Sequence, residues 1–498
     1  MTRTFNWRLV FRTMGMLTTL EAIFMLVPTL TAWWYHEPDL GAWIVSSAIT
    51  WLNSWWMLLA GRDAEKRVGE REGYVIVATV WVVYSAFGML PFWLSGALPD
   101  LTNAWYETMA GFTTTGSTVI RDVTAMTHSI LLWRALMQWI GGMGIIVLSV
   151  AILPMFGLGG MQLYSAEVTG VSYDKLSPRI ADTAKHMWVT YILLTITEGL
   201  LLWAFGMGRF DAVCHAMSTI STGGFSTRNT SLMLDGPAIQ WIVLLFMTLS
   251  AINFTQLIYL FRGKPRSLIH DEETRWYLGA CLANGLLLAI GLFVYYGLQF
   301  GVMSTGWLEW WHHAEYSLRE GLFTAVATIT STGFAVDDYM AWPPLLWLLV
   351  FFMMFTGGAS GSTAGGMKWV RIGIFAKSAL TEIKRRVHPN AVIPVRFNGR
   401  TVTEQTTSNV MAFMFFYFGI IILAALAYCA CGIGFDEGLG VAVSMIGNVG
   451  VAIGKYGPSG CYADFPTVAK WISTFVMLIG RLEIFTVLLL FSRALWKK

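Results

Sequence analysis

The sequence predicts an all-α polytopic membrane protein: four pseudo-symmetric helix–pore loop–helix repeats around a central pore, plus an N-terminal helix pair, with about ten transmembrane helices and four half-helices. Three observations lead to it. Hydrophobic residues make up 55% of the 498 positions and charged residues 13%, where an average soluble domain is about a quarter charged. Apolar stretches long enough to cross roughly 30 Å of hydrocarbon recur near 9–34, 41–60, 74–97, 130–156, 186–207, 238–262, 276–300, 342–375, 408–432 and 466–495. Four short segments end nearly alike, at Thr114-Thr115-Gly116, Ser221-Thr222-Gly223, Ser331-Thr332-Gly333 and Asn448-Val449-Gly450, with glycines 107, 110 and 117 residues apart. One such triplet is a turn. Four at a common interval are an internal repeat.

Residues 1–70 supply the N-terminal helix pair. Arg3, Arg8 and Arg12 precede a run long enough to span, with no small-residue cleavage site, so a membrane helix is expected rather than a removable signal. The repeats then occupy 71–160, 161–265, 266–400 and 401–498. In each, a membrane helix leads to a short helix near 101–112, 210–220, 319–329 or 435–446, then the glycine loop and a second membrane helix. A short helix of this length rises roughly 16 Å, half a membrane. Its C-terminal end carries partial negative charge to the membrane centre, which favours a cation there.

Irregular backbone survives inside a bilayer only where it is buried or lines water. Four loops meeting on one axis satisfy that condition, and their carbonyl oxygens would replace a cation's water. Glycine lets the backbone visit conformations closed to residues with a Cβ. The neighbouring Thr, Ser and Asn side chains bond loop backbone and keep the carbonyls aimed.

Charge placement orients the chain, because cytosolic loops gather Lys and Arg. With the N-terminus inside, 25 Lys and Arg face inward, among them Lys66, Arg67, Lys175, Arg179, Lys384, Arg385, Arg386, Lys497 and Lys498. Six face outward, and Arg134 and Arg481 remain within helices. Both termini are then cytosolic. Asp337, Asp338, Asp436 and Glu437 give the outer face an acidic rim that favours cations. The five cysteines, Cys214, Cys281, Cys429, Cys431 and Cys461, are scattered in apolar context and read as packing residues.

Several polar features invite a function. The stretch 357–366 contains Gly357, Gly358, Gly361, Gly365 and Gly366 among small residues. It is not a phosphate loop, because Lys368 is separated from Gly366 and followed by Trp369. A helix so interrupted unwinds midway through the membrane; close helix packing through small residues is the competing reading. Arg481 needs a partner or water, since a mid-membrane charge costs about 2.5–3.5 kcal/mol on insertion scales. Glu483, two residues on, points to another face, and a structural arginine bonding buried carbonyls is one solution. Glu107 and His215 sit in short helices where each could brace a loop or simply pack. Glu21 and Glu198 are intramembrane carboxylates suited to a proton site. His312-His313 is expected in an outer loop among Trp307, Trp310 and Trp311 and reads as an interfacial aromatic belt rather than a metal site. No paired catalytic carboxylates, HExxH or nucleophile with a base point to an enzyme.

The one-glycine loops, Gln138-Trp139-Ile140-Gly141-Gly142-Met143-Gly144, the segment from Gly357 to Lys368, and Gly480-Arg481-Leu482-Glu483 resemble the Trk/Ktr/HKT superfamily of potassium transporters. The bacterial TrkH branch is most similar, over nearly the whole length, and the extra N-terminal helix pair suits it. The resemblance implies that Gly116, Gly223, Gly333 and Gly450 are filter glycines, with their flanking Thr, Ser, Asn and Val residues at the potassium sites. In plant relatives a serine at the first glycine position accompanies sodium preference, so Gly116 favours potassium. Val451 departs from the pattern, where many relatives have proline.

The resemblance further implies that 357–366 is an intramembrane loop that blocks the pore and moves to open it, with Arg481 as an electrostatic barrier beside it. It also implies a homodimer with one pore per chain in the bacterial inner membrane, and a cytosolic, TrkA-like ring of nucleotide-binding regulatory subunits. Lys384-Arg385-Arg386 would dock that ring, or simply face anionic lipid. No covalent cofactor and no nucleic-acid partner are expected, and nucleotide control would come only from the partner. Potassium uptake down the electrochemical gradient is the leading function, since 100 mV supplies about 2.3 kcal/mol per charge. A proton- or sodium-coupled symporter with an added site such as Glu198 is the alternative.

Overall fold

The structure is a computed structural model and describes residues 5–64, 69–144, 180–299 and 307–496. Arg3, Lys66, Arg67, Lys175, Arg179, Lys497 and Lys498, and the far end of the 130–156 stretch, lie outside the described residues. Two helices, α1 (Trp7–Trp34) and α2 (Leu40–Ala60), pack together as the N-terminal pair. Small side chains allow the close approach: Ser54 donates to the Gly15 carbonyl at 2.9 Å. The Tyr84 hydroxyl of α3 (Glu70–Gly88) donates to the Leu17 carbonyl at 2.7 Å and ties the pair to the first repeat.

The first repeat continues with the short helix α4 (Leu101–Phe112) and α5 (His128–Gly142). The second has α6 (Ile180–Ala204), the short α7 (Arg209–Ile220), α8 (Pro237–Ser250) and α9 (Phe254–Phe261). The third has α10 (Glu272–Gln299), α11 (Trp307–Ile329), α12 (Pro344–Met353) and α13 (Trp369–Val387). The fourth has α14 (Glu404–Ala430), α15 (Phe435–Gly447), α16 (Thr467–Arg481) and α17 (Phe485–Phe491).

Local chemistry starts the short helices where the sequence places them. Asp100 caps α4 by accepting from the Thr102 and Asn103 amides, and acidic residues occupy the first turns of α7 and α15. Carboxylates there complement the positive end of the helix dipole. The expected 319–329 helix is instead the last half of α11, which starts at Trp307 and runs 23 residues. No proline stands between Trp307 and Ile329, and the one glycine there, Gly321, remains within the helix.

Five helices are long and apolar enough to cross a membrane among the described residues, and seven if each bent pair counts as one span. The pairs are corrections to the expected 238–262 and 466–495 crossings. The chain turns 108° between α8 and α9, and 114° between α16 and α17. The causes are local: Asn253 caps α9 by accepting from the Thr255 amide at 2.8 Å, and Glu483 and Ile484 hold φ +55° and +62°. Helix α12 also stops at Met353 and resumes only at Trp369 as α13, and α5 ends at Gly142 just before the left-handed Gly144 (φ +75°). Hence the helix after every glycine loop ends or breaks partway, where sequence foresaw one unwinding.

Candidate functional site

The four loops close into a ring. Gly116, Gly224, Gly333 and Gly450 hold φ of +77°, +77°, +76° and +89°. Two residues before each stands another left-handed residue, Thr114, Thr222, Ser331 or Asn448, with φ between +52° and +55°. A Cβ added to Gly116 would lie 2.1 Å from the Gly223 carbonyl oxygen; one on Gly224, 1.8 Å from that of Thr332; one on Gly333, 2.1 Å from that of Val449; one on Gly450, 2.1 Å from that of Thr115. Each loop thus abuts the next, and the fourth returns to the first. That cycle makes the repeats a pseudo-fourfold assembly about one axis.

The geometry corrects the register of the second loop. Gly223 was expected to correspond to Gly116, but its φ is not left-handed and its successor Gly224 takes the ring position. Hydrogen bonds agree: the amides of Thr115, Gly223, Thr332 and Val449 donate to Ala110, Ser218, Ala327 and Ser444, each five residues back, at 2.8–2.9 Å. The second triplet is therefore Thr222-Gly223-Gly224, and Ser221 is the last position before it. A cavity of about 160 Å³ is lined by Gly116, Gly224, Gly333 and Gly450, with Gly223 absent from it. Beside it, hydrogen bonds from Thr124 and Asn229 hold the Asp122 carboxyl below the usual carboxylate range, which keeps a negative charge there.

Buried polar groups hold the first two loops. Glu107 of α4 and Arg134 of α5 pair at 2.9 Å with side chains 0% and 2% exposed. Glu107 also accepts from Thr118 and the Val119 amide, and Arg134 donates to the Ser226 carbonyl at 3.0 Å and lies 4.0 Å over the Phe225 ring. His215 bridges the Asp211 carbonyl and the Ser226 hydroxyl. Both residues singled out as braces thus touch loop elements. Their helix positions did not reveal Arg134 as the partner of Glu107, although two opposite intramembrane charges on consecutive helices were a signal.

The 357–366 segment lies directly against the ring. It folds back on itself, with Thr356 bridged to Met367. The Gly365 amide donates to the Ser331 hydroxyl at 2.6 Å, and Thr363 donates to the carbonyls of Ile220 and Ser250. A Cβ on Gly365 would lie 2.5 Å from the Gly447 carbonyl oxygen. Contacts therefore reach the second, third and fourth loops. Glu273 of α10 accepts from the Ser360 and Val370 amides at 2.7 and 3.0 Å, which secures the segment from the other side.

Arg481 ends α16 beneath the ring and donates to three carbonyls: Thr363 at 2.9 Å, Gly141 at 2.5 Å and Gly142 at 2.8 Å. It joins the 357–366 segment to the C-terminal end of α5. Glu483 pairs with Arg371 instead.

A family model described as TrkH, a cation transport protein, matches residues 46–498. The chain belongs to the TrkH family. Relatives include the Trk system potassium uptake protein TrkH of Halomonas elongata, 37% identical over 99% of each chain. The protein of the same name from Escherichia coli K12 is 36% identical over 99% of this chain and 100% of its own. The crystal structure of the potassium transporter TrkH from Vibrio parahaemolyticus superposes with a TM-score of 0.86 at 31% identity, over 99% of this chain and 100% of that one. The fold is that of a helical membrane transporter, and the protein is a multi-pass transport protein rather than an enzyme.

Proposed function

We propose that this chain carries potassium into the cell across the plasma membrane through the ring of four loops. The carrying observation is the closed cycle of left-handed glycines and neighbouring carbonyls, because a ring of backbone oxygens can replace the hydration shell of a cation. The relatives' potassium uptake names that ion. Thr114, Thr115 and Gly116, Thr222 to Gly224, Ser331 to Gly333 and Asn448 to Gly450 form the filter in this reading. Potassium, rubidium and sodium gradients across liposomes holding the purified protein test it. Potassium-selective flux that Gly116→Ser degrades supports the filter, and flux indifferent to Gly116 sinks it.

In the same reading the 357–366 segment closes the pore and Arg481 latches it, adding a positive charge to the passage. Arg481→Ala removes three hydrogen bonds from a charged donor, and the loss of the equivalent of one of them from the closed state, about 1.5 kcal/mol, should raise resting flux about tenfold. An unchanged rate in single-vesicle recordings would remove the latch. Two chains, each with its own pore, and a cytosolic nucleotide-binding ring at the basic end of α13 complete the proposal, with both termini cytosolic.

Coupled symport has one observation in its favour. Glu21 and Glu198 are both fully buried, and no carboxylate oxygen of either meets a hydrogen-bond partner among the described residues, which leaves both as intramembrane carboxylates of the kind that serve as proton sites. A reversal potential that moves with pH at a fixed potassium gradient, and stops moving in Glu21→Gln, would establish coupling.

A further inference from the structure

Three loops share a feature that the second lacks. The residue just before the ring glycine is Thr115, Thr332 or Val449, each branched and fully buried, but in the second loop it is Gly223. The space its side chain would fill is taken: a Cβ on Gly223 would lie 2.4 Å from Cδ and 2.5 Å from Oε1 of Gln138. Gln138 comes from α5 of the preceding repeat and is fully buried. Its Nε2 donates to the Gly223 carbonyl at 2.6 Å and its Oε1 accepts from the Phe225 amide at 3.1 Å. The two contacts fix which end of the amide faces which partner. The carbonyls of Thr115, Thr332 and Val449 accept no hydrogen bond from the described residues.

We propose that Gln138 stands in for the missing side chain of the second loop and is a positioning residue that sets ion discrimination by fixing the Gly223 carbonyl in the ring. This rests on the reading of the ring as the filter. Packing sets the position of the loop, because Gln138 occupies the volume that a threonine holds in the first and third loops. The hydrogen bond adds a difference: one oxygen of four carries an N–H dipole whose positive end faces it. A cation is held less strongly at that oxygen, and conduction needs binding weak enough to release.

The arrangement allows a swap. Gly223 does not need a left-handed φ, so a threonine is admissible there once Gln138 is shortened. The potassium-to-sodium permeability ratio, read from reversal potentials in liposomes, is independent of how much protein inserts. Gln138→Ala should lower that ratio about fivefold, the value of one net hydrogen bond. Gly223→Thr alone should lower it too, through overlap with Gln138. The double variant, with the pair restored in exchanged form, should return to within about twofold of wild type. If Gln138→Ala does not assemble, Gln138→Met, which keeps the bulk without the amide, is measured for the same loss. An unchanged ratio in the Gln138 variant, or a double variant no better than the worse single one, overturns the proposal. A wild-type protein with no potassium preference overturns the filter reading itself, and the inference with it.

Discussion

Gly224→Ala will abolish potassium flux, whereas Gly223→Ala will retain a measurable fraction of it. A methyl group on Gly224 would meet the Thr332 carbonyl oxygen at 1.8 Å, and its φ of +77° strains any residue with a Cβ. Backbone oxygen cannot yield without opening the ring. Displacements near 1 Å in a preorganised site cost roughly a hundredfold, and this overlap exceeds that. A methyl group on Gly223 meets the amide end of Gln138, a side chain able to shift, in a conformation that tolerates alanine. Rubidium uptake by proteoliposomes at matched protein content measures both. Equal losses would return the second loop to the register suggested by its sequence.

Breaking the Glu107–Arg134 pair will have the largest effect on stability. The side chains are 0% and 2% exposed, and the remaining charge would stay buried without its counterion. Removing one partner of a buried pair costs about 3–5 kcal/mol. Arg134→Met should therefore lower the unfolding temperature in detergent more than any single substitution on the exposed face of α2. Glu107→Gln/Arg134→Met, neutral at both positions, should recover part of that loss, since Gln keeps an oxygen for Thr118 and the Val119 amide. A double variant as unstable as Arg134→Met would show that the arginine acts through its bond to the Ser226 carbonyl and its place over Phe225, with the ion pair incidental.

The sequence made the repeats legible because four glycine loops at nearly equal spacing are a pattern of residues, and apolar length reports membrane spans directly. The short helices at 101–112, 210–220 and 435–446 were placed within two residues at either end for the same reason. The second loop was misread by one position because Ser221-Thr222-Gly223 imitates the other triplets. What separates Gly223 from Gly224 is φ, and the group that fills the place of the missing Gly223 side chain is Gln138, eighty-five residues away. The breaks after α8 and α16 were hidden by continuous apolar composition, which hydropathy reads as one span whether or not the backbone turns. The partners of Arg481 are backbone carbonyls on distant elements, and backbone acceptors leave no mark in a sequence.

The most direct test of the central claim is anomalous diffraction from crystals of the protein soaked in rubidium, a potassium substitute with a usable absorption edge. A peak on the ring axis, within about 3 Å of the carbonyl oxygens of Thr115, Gly223, Thr332 and Val449, where such oxygens replace water around the ion, is the predicted result. Rubidium bound only elsewhere, with the axis empty in a preparation that conducts potassium, would contradict the account.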